Sequence, residues 1–374
     1  MLKNPNLLLM FNKKKILFFS IPFLIFFIVY INNTILKKET TTFNEKLIPI
    51  SNSSSNCTTV DDDETCISIL NEKSKYNLVW FGNSQLMMIN EKKENEKTAP
   101  ELLRNDFDVK KLNVVGFSHP NMSLKEYYIL LNYLLSKKIK IDYLILGLCF
   151  DDLRESKVRD KFIEKYLSDD NTHNLIKKNK SEFNKNLQNN DIKIFNKSKI
   201  EDNFLFFKSE EKITSLLKEK FNYSDFSDNV QRNLEIIFYR IRNFIFNINP
   251  QSIRKVLPAA YRENINFLEE IIKLSKEKNI TLINYIVPIR DDYKIPYEEK
   301  AYLKFKKSAE LLTNKSGNYF FNLENSVSNK NYGSKKSTSV KKYNELDFMH
   351  FNYNGQIQLK DKIFEILNLI INDI

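Results

Sequence analysis

The stretch Tyr143-Leu-Ile-Leu-Gly-Leu148 carries no charged side chain and is apolar along its whole length. A strand with one face in water alternates apolar and polar residues, so an uninterrupted apolar run predicts a strand that is covered on both faces. Such strands are typical of parallel sheets that lie between two layers of helices. This stretch therefore predicts an α/β fold.

Similar short apolar runs recur along the chain and alternate with helical patterns. Four of them predict strands, at 78–81 before Gly82, 112–115 before Gly116, 281–287 before Pro288, and 319–322. Helices are predicted after the capping box Ser123-Leu-Lys-Glu126, over 262–276, and over 355–371. Since strands that alternate with helices form parallel sheets, we predict a flavodoxin-like parallel sheet of about five strands with helices on both faces.

Two stretches depart from this alternation. Residues 156–258 are rich in Lys and Asn with mostly helical patterns, and they predict a helical cap inserted into the domain. Disorder is the alternative for 170–200. Residues 37–75 are rich in Ser, Thr, Asn and charged residues, which is typical of a stalk. The predicted folded domain therefore covers 76–374, with the insertion at about 156–258.

The N-terminal region predicts a membrane anchor. Residues 16–31 are uncharged and almost wholly apolar, with lysines at 13–15 before them and at 37–38 behind them. A bilayer needs roughly 17–25 residues, so the predicted transmembrane signal-anchor covers 16–36. A cleaved signal peptide is the alternative, but no small-x-small cleavage site follows. Lysines before the span favour a cytoplasmic N-terminus at 1–15, which makes the chain a single-pass membrane protein with its domain outside the cytoplasm.

Two of the cysteines are compatible with a location outside the cytoplasm but do not establish it. Cys57 and Cys66 flank an acidic loop, and they form either a small disulfide in an oxidising compartment or two unpaired thiols in the stalk. Cys149 lies in an apolar run and is predicted to be a small buried side chain.

Composition argues against several classes of function. The net charge is +11, but the lysines are scattered along the chain, whereas nucleic-acid binding needs basic residues clustered with aromatic ones. Six glycines leave little material for a phosphate-binding loop, and no cluster of His and Cys has the spacing of metal ligands. We therefore predict no nucleic-acid partner, no metal and no cofactor.

Candidate catalytic residues occur at two distant places in the chain. In Asp347-Phe-Met-His350 an aspartate precedes one of only three histidines by three positions, and on a loop or a first helical turn the two side chains converge. A serine placed beside them would gain a general base that a carboxylate orients. Ser84, Gly116 and Asp151 each follow a predicted strand by one to three residues. Because functional groups gather at the carboxyl ends of parallel strands, these residues are expected on one rim.

In chain order, Gly82-Asn-Ser84-Gln85, Gly116, Asp151-Asp152 and Asp347-x-x-His350 resemble the four sequence blocks of the SGNH (GDSL-like) hydrolases. The resemblance covers most of 76–155 and 260–374. It implies that Ser84 is the nucleophile, that His350 is the base, and that Asp347 orients the imidazole. It also implies that the amides of Ser84 and Gly116 form part of an oxyanion hole.

Two further residues are assigned with alternatives. Asp151 stands where the family usually has an asparagine, and an ionised carboxylate cannot donate to an oxyanion. Asp151 therefore acts as a protonated donor or a substrate contact, or another group replaces it, or the protein is slow or inactive. Arg290, in Val287-Pro-Ile-Arg290-Asp291-Asp292, either contacts an anionic or sugar substrate or pairs with Asp291 or Asp292.

Two further segments resemble the membrane-anchored SGNH branch that works beside bacterial envelope O-acyltransferases: Ala99-Pro-Glu-Leu-Leu103 after block one, and the Arg290 segment after the fourth predicted strand. The resemblance implies a serine acyl-esterase or O-acyltransferase that acts on an envelope polysaccharide, or on an acyl donor, with a membrane-bound O-acyltransferase as partner. The alternative is an inactive SGNH-fold scaffold or binding protein in surface-polymer assembly.

Overall fold

A computed structural model describes residues 55–108, 110–154, 157–178, 252–254, 256–292, 294–336 and 344–371. The predicted cytoplasmic tail (1–15), the signal-anchor (16–36) and the greater part of the predicted cap lie outside these residues and stay predictions. Among the helices of the described ranges, none is both long and apolar enough to cross a membrane.

The described chain contains eight strands and nine α-helices. The strands are β1 (Asn56–Cys57), β2 (Tyr76–Gly82), β3 (Leu112–Ser118), β4 (Tyr143–Leu148), β5 (Thr281–Ile286), β6 (Tyr319–Asn322), β7 (Tyr332–Lys336) and β8 (Asn344–Phe351). The helices are α1 (Asp63–Leu70), α2 (Ser84–Met87), α3 (Ala99–Asp106), α4 (Leu124–Ser136), α5 (Asp160–Phe162), α6 (Asp170–Lys178), α7 (Pro258–Glu277), α8 (Glu299–Lys315) and α9 (Tyr353–Ile370).

The six strands β1 to β6 form one parallel sheet in the order β1-β3-β2-β4-β5-β6. Apart from the edge strand β1, this is the flavodoxin-like order, in which the first strand of the series lies between the second and the third. The predicted α/β class is confirmed, and each predicted strand is present. Strand β4 has the bounds that its apolar run predicts, and it lies in the interior of the sheet between β2 and β5.

The capping box before α4 also has its predicted form. The Ser123 hydroxyl accepts from the Glu126 N–H at 3.3 Å, and the Glu126 carboxylate accepts from the Ser123 N–H at 3.2 Å. The same carboxylate binds the Arg159 guanidinium, with Nε at 2.8 Å and Nη2 at 3.0 Å. The start of α4 therefore also holds the first part of the predicted insertion against the sheet domain.

Residues 160–167 and 170–178 of that insertion are helical, as predicted. α5 continues into a π-helical turn at Ile163–Leu167, and α6 follows. The alternative of disorder is therefore wrong for 170–178, while 179–251 lie outside the described residues. The main chain resumes the α/β pattern with α7, which begins at the end of the predicted insertion.

The predicted stalk is wrong for residues 55–75, because they belong to the folded domain. β1 pairs with β3 through Asn56 and Gly116, and Cys66, Ile67 and Leu70 on α1 are buried. A two-residue strand and an eight-residue helix are too short for a clear hydrophobic period. The sequence pattern therefore does not indicate which residues of this mostly polar segment are buried.

Cys57 and Cys66 form a disulfide bond, which settles the alternative that the sequence left open. The bond joins the edge strand β1 to α1, and both cysteines are buried. Cys149 is buried as predicted.

Removing this disulfide is expected to destabilise the domain. The two cysteines are nine positions apart, and a crosslink across so short a loop contributes about 2–3 kcal/mol in the chain-entropy model. We expect the double variant Cys57→Ser/Cys66→Ser to have a free energy of unfolding lower by about this amount, measured by urea denaturation. Dithiothreitol should lower the stability of the wild type and leave that of the double variant unchanged. Equal urea midpoints for oxidised wild type and double variant would contradict the prediction.

Candidate active site

Ser84 lies at a sharp turn from the end of β2 into α2. Asn83 caps the helix, since its side-chain oxygen accepts from the Gln85 N–H at 3.0 Å. Its amide nitrogen donates to both carboxylate oxygens of Asp152, each at 3.1 Å. A side chain at Gly82 would place Cβ 2.6 Å from Leu86, so this turn requires glycine. Because Ser84 is the first residue of α2, its N–H has no acceptor within the helix.

Asp347 and His350 lie on β8, and not on a loop or a first helical turn as predicted. Residues three apart on a regular strand point to opposite faces. Here the pairing with β7 is irregular, since Tyr332 pairs with Phe351 and Ser334 with Leu346. β7 thus advances two residues while β8 advances five. The additional residues of β8 belong to the segment 347–350, so this irregularity lets the two side chains meet.

Asp347 holds that segment in its folded-back shape. One carboxylate oxygen, Oδ1, accepts from the backbone N–H groups of Met349 at 2.9 Å and His350 at 3.1 Å. The other oxygen, Oδ2, lies 2.8 Å from Nδ1 of His350. The carboxylate therefore fixes both the main chain and the imidazole of the same residue.

The opposite ring nitrogen of His350 faces the serine. His350 Nε2 lies 3.0 Å from the Oγ atom of Ser84, although the two residues are 266 positions apart. A carboxylate at Nδ1 favours the tautomer that carries its proton on Nδ1, and this leaves a lone pair on Nε2 for the serine hydroxyl. The structure therefore brings the three predicted residues into one line of hydrogen bonds.

The electrostatics of Asp347 suit that tautomer. Burial by itself raises the pKa of its carboxyl. The hydrogen bond and charge of His350 and the N–H groups of Met349 and His350 lower it by more, so that the pKa is about 2. The carboxyl group is therefore ionised at neutral pH, where it can accept the Nδ1–H bond.

The prediction that the amide of Gly116 contributes to an oxyanion hole is wrong. β3 continues past residue 115 to Ser118, so Gly116 lies within the strand, and its N–H donates to the Ser55 carbonyl at 2.7 Å. The glycine serves packing instead. An added Cβ would lie 2.5 Å from the side-chain oxygen of Asn56 and 2.9 Å from Pro100.

Asp151 begins a 3₁₀ turn after β4, as expected, and its carboxylate has a cationic partner. Arg254 forms an ion pair with it, the Tyr297 hydroxyl donates to Oδ2 at 3.1 Å, and Arg154 lies 3.5 Å from Oδ1. The Arg254 guanidinium also lies over the Phe348 ring, 4.9 Å from its centroid. The Asp151 carboxylate is thus paired with cationic side chains of the chain itself, an outcome that was not among the roles predicted for it.

Arg290 has the carboxylate partner that was the alternative to substrate contact. Its guanidinium binds Asp292 through two hydrogen bonds, of 2.5 and 2.9 Å, and its side chain is only 10% exposed. Its backbone N–H donates to the Phe348 carbonyl at 3.0 Å. Arg290 therefore connects the loop after β5 to the β8 segment that holds Asp347 and His350.

Sequence reasoning missed Arg254 and the partners of Asn83 and Gln85. Arg254 lies near the C-terminal end of the predicted insertion and has no motif around it. Gln85 was part of the serine block, but nothing in the sequence indicated which atoms its side chain would contact. In the described ranges no group of three or more His, Cys, Asp or Glu side chains could hold a metal ion.

No protein-family model and no curated protein matches the chain. Among solved structures, the chain is similar to a GDSL-like lipase from Bacteroides thetaiotaomicron, with 8% identity, a TM-score of 0.38, and coverage of 84% of this chain and 98% of that one. It is also similar to an acetylxylan esterase from Geobacillus stearothermophilus, with 8% identity, a TM-score of 0.37, and coverage of 78% and 94%.

Proposed function

We propose that this chain is a serine esterase or O-acyltransferase of the SGNH type that works through an acyl-Ser84 intermediate. One observation carries the proposal. Ser84 Oγ, both ring nitrogens of His350 and the carboxylate of Asp347 form a continuous line with distances of 3.0 and 2.8 Å. This arrangement meets the geometric requirement for a serine activated by an oriented base.

In the first half of the reaction, Ser84 Oγ attacks the ester carbonyl while His350 Nε2 takes the hydroxyl proton. The tetrahedral intermediate places its negative charge near the N–H of Ser84 at the start of α2. His350 then gives the proton to the leaving alcohol, and the acyl group stays on Ser84. Asp347 stabilises the positive imidazole throughout without taking the proton.

In the second half, a hydroxyl group attacks the acyl-serine, and His350 takes and returns a proton in the same way. Water as the attacking group gives hydrolysis, whereas a sugar hydroxyl gives transfer. We expect slow turnover in either case. The amide of Gly116 is already bonded in the sheet, and removing one oxyanion donor costs about 10²–10³ in rate.

We further propose that the domain acts outside the cytoplasm, attached by the anchor at 16–36. The Cys57–Cys66 disulfide supports an oxidising compartment. The proposed substrates are acyl esters on an envelope glycan, a teichoic-type polymer or a lipid-linked sugar, and the proposed partner is a membrane-bound O-acyltransferase. The family resemblance supports the substrate class and this partner.

A fluorophosphonate probe tests the proposed chemistry. We expect the wild-type chain to form one covalent adduct, which peptide mass spectrometry locates at Ser84, and we expect no adduct on the Ser84→Ala variant. If labelling occurs, release of acetate from an acetylated glycan would indicate a hydrolase. Appearance of the acyl group on an acceptor glycan would indicate a transferase.

A non-catalytic scaffold in surface-polymer assembly is the second candidate. It is favoured by the bonded amide of Gly116 and by a carboxylate, Asp151, at the position where the family has a neutral donor. A wild-type chain that is folded by circular dichroism and remains unlabelled by the probe would support this candidate against the enzyme.

A further inference from the structure

The side-chain amide of Gln85 connects the three segments that meet at the candidate site. Gln85 follows Ser84 directly and is only 2% exposed. Its nitrogen Nε2 donates to the Met349 carbonyl at 2.8 Å and to the Pro288 carbonyl at 2.7 Å. Met349 is the residue before His350, and Pro288 lies in the loop after β5. One amide group therefore joins the serine turn to the base segment and to the neighbouring loop.

The main chain of Gln85 is fixed as well. Its N–H donates to the Asn83 side chain, and its carbonyl accepts from Nε2 of Gln356 at 3.0 Å. Gln356, on α9, is fully buried and also donates to the Met88 carbonyl at 3.0 Å. Its side-chain oxygen accepts from the N–H of Ala99 at 3.0 Å. Gln85 thus cannot shift without breaking hydrogen bonds at both ends of the residue.

The elements that carry Ser84 and His350 have little regular structure of their own to hold them. α2 is a single helical turn of four residues, and the 347–350 segment is the irregular part of β8. The distance of 3.0 Å between Ser84 Oγ and His350 Nε2 therefore depends on contacts between the two segments. The bond from Gln85 to the Met349 carbonyl links the direct neighbours of the two reacting residues.

We propose that Gln85 is a positioning residue, which holds His350 at the distance from Ser84 that proton transfer requires. This role rests on the proposed function. Gln85 acts through the main chain of Met349 and through the serine turn. A displacement of about 1 Å between reacting groups can lower a rate about 10²-fold, so losing this connection should be seen in the chemical step.

The test is the variant Gln85→Met, which keeps the length of the side chain and removes its donors. We expect kcat for a small aryl acetate ester to fall about 10–100-fold, with KM changed less than about twofold. We expect the rate constant for fluorophosphonate labelling to fall by a similar factor, while the labelled fraction at completion stays equal to that of the wild type. A role in stability alone would lower the labelled fraction and leave the rate constant of the folded molecules unchanged.

Gln358→Met is the matched control, because it changes a glutamine of α9 whose oxygen accepts from Ser328 and Asn331. We expect wild-type kcat from it. If Gln85→Met does not fold, Gln85→Asn is used, since it keeps the amide but is too short to reach both carbonyls. If the Gln85 variant is labelled at the wild-type rate, the role of Gln85 is overturned and the proposed function is not. A wild-type chain that is not labelled would overturn the proposed function, and this role with it.

Discussion

Replacing Ser84 by alanine is expected to lower kcat for ester cleavage on the order of 10⁶-fold, and replacing His350 by alanine to lower it by a similar factor. The serine is a weak nucleophile unless a base accepts its proton, so either loss disables the same step. The double variant should therefore be no slower than the single ones. This non-additivity follows from the hydrogen bond of 3.0 Å between the two side chains.

Steady-state hydrolysis of an activated aryl ester by the three variants would measure these losses. His173→Ala on α6 is the control, since this histidine lies outside the line of hydrogen bonds, and we expect wild-type kcat from it. Circular dichroism of each variant separates loss of chemistry from loss of fold. Losses from Ser84 and His350 that multiply in the double variant would contradict a shared step.

Replacing Asp347 by asparagine is expected to lower kcat on the order of 10⁴-fold with little change in KM. The carboxylate accepts a hydrogen bond from Nδ1–H of His350, whereas the amide of asparagine can donate one to Nδ1. The imidazole would then carry its proton on Nε2 and would have no lone pair for the Ser84 hydroxyl. Single-turnover kinetics on the aryl ester measure the effect on the chemical step. A loss of less than tenfold would contradict this role of Asp347.

The same substitution has a second, independent readout in the pH dependence of stability. The pKa of Asp347 lies at about 2, below its ordinary value of 3.8. The ionised carboxylate therefore stabilises the folded state above about pH 4, and this contribution is lost as the pH falls through about 2. The shift corresponds to about 2 kcal/mol.

In urea denaturation at pH 5 and at pH 2.5, the wild type should lose more stability than Asp347→Asn over this interval. Asp361→Asn is the control, because its side chain is largely exposed on α9 and its carboxylate forms an ion pair with the neighbouring Lys360. We expect Asp361→Asn to follow the pH dependence of the wild type. Parallel curves for wild type and Asp347→Asn would show that the Asp347 carboxylate gains no stability from its partners.

Asp347 and Asp151 show that spacing in the sequence predicts contacts between near neighbours but not contacts between remote residues. Asp347 and His350 are three positions apart, so their contact could be predicted from spacing, although the wrong local structure was assigned to them. Asp151 depends on Arg254, which lies 103 positions away near the C-terminal end of the predicted insertion. Nothing near Asp151 in the sequence indicates that partner, and the sequence therefore left several roles open.

The sequence by itself determined the five strands β2 to β6 and the candidate triad. A strand buried on both faces needs an apolar residue at nearly every position, so it can be recognised from a short run of the local sequence. Only the tertiary structure decided that residues 55–75 belong to the domain, that the N–H of Gly116 is bonded within the sheet, and that Gln85 reaches the Met349 carbonyl. Each of these outcomes depends on which polar groups lie within hydrogen-bond distance after the segments have packed. That distance is set by contacts between remote parts of the chain, and local composition does not encode it.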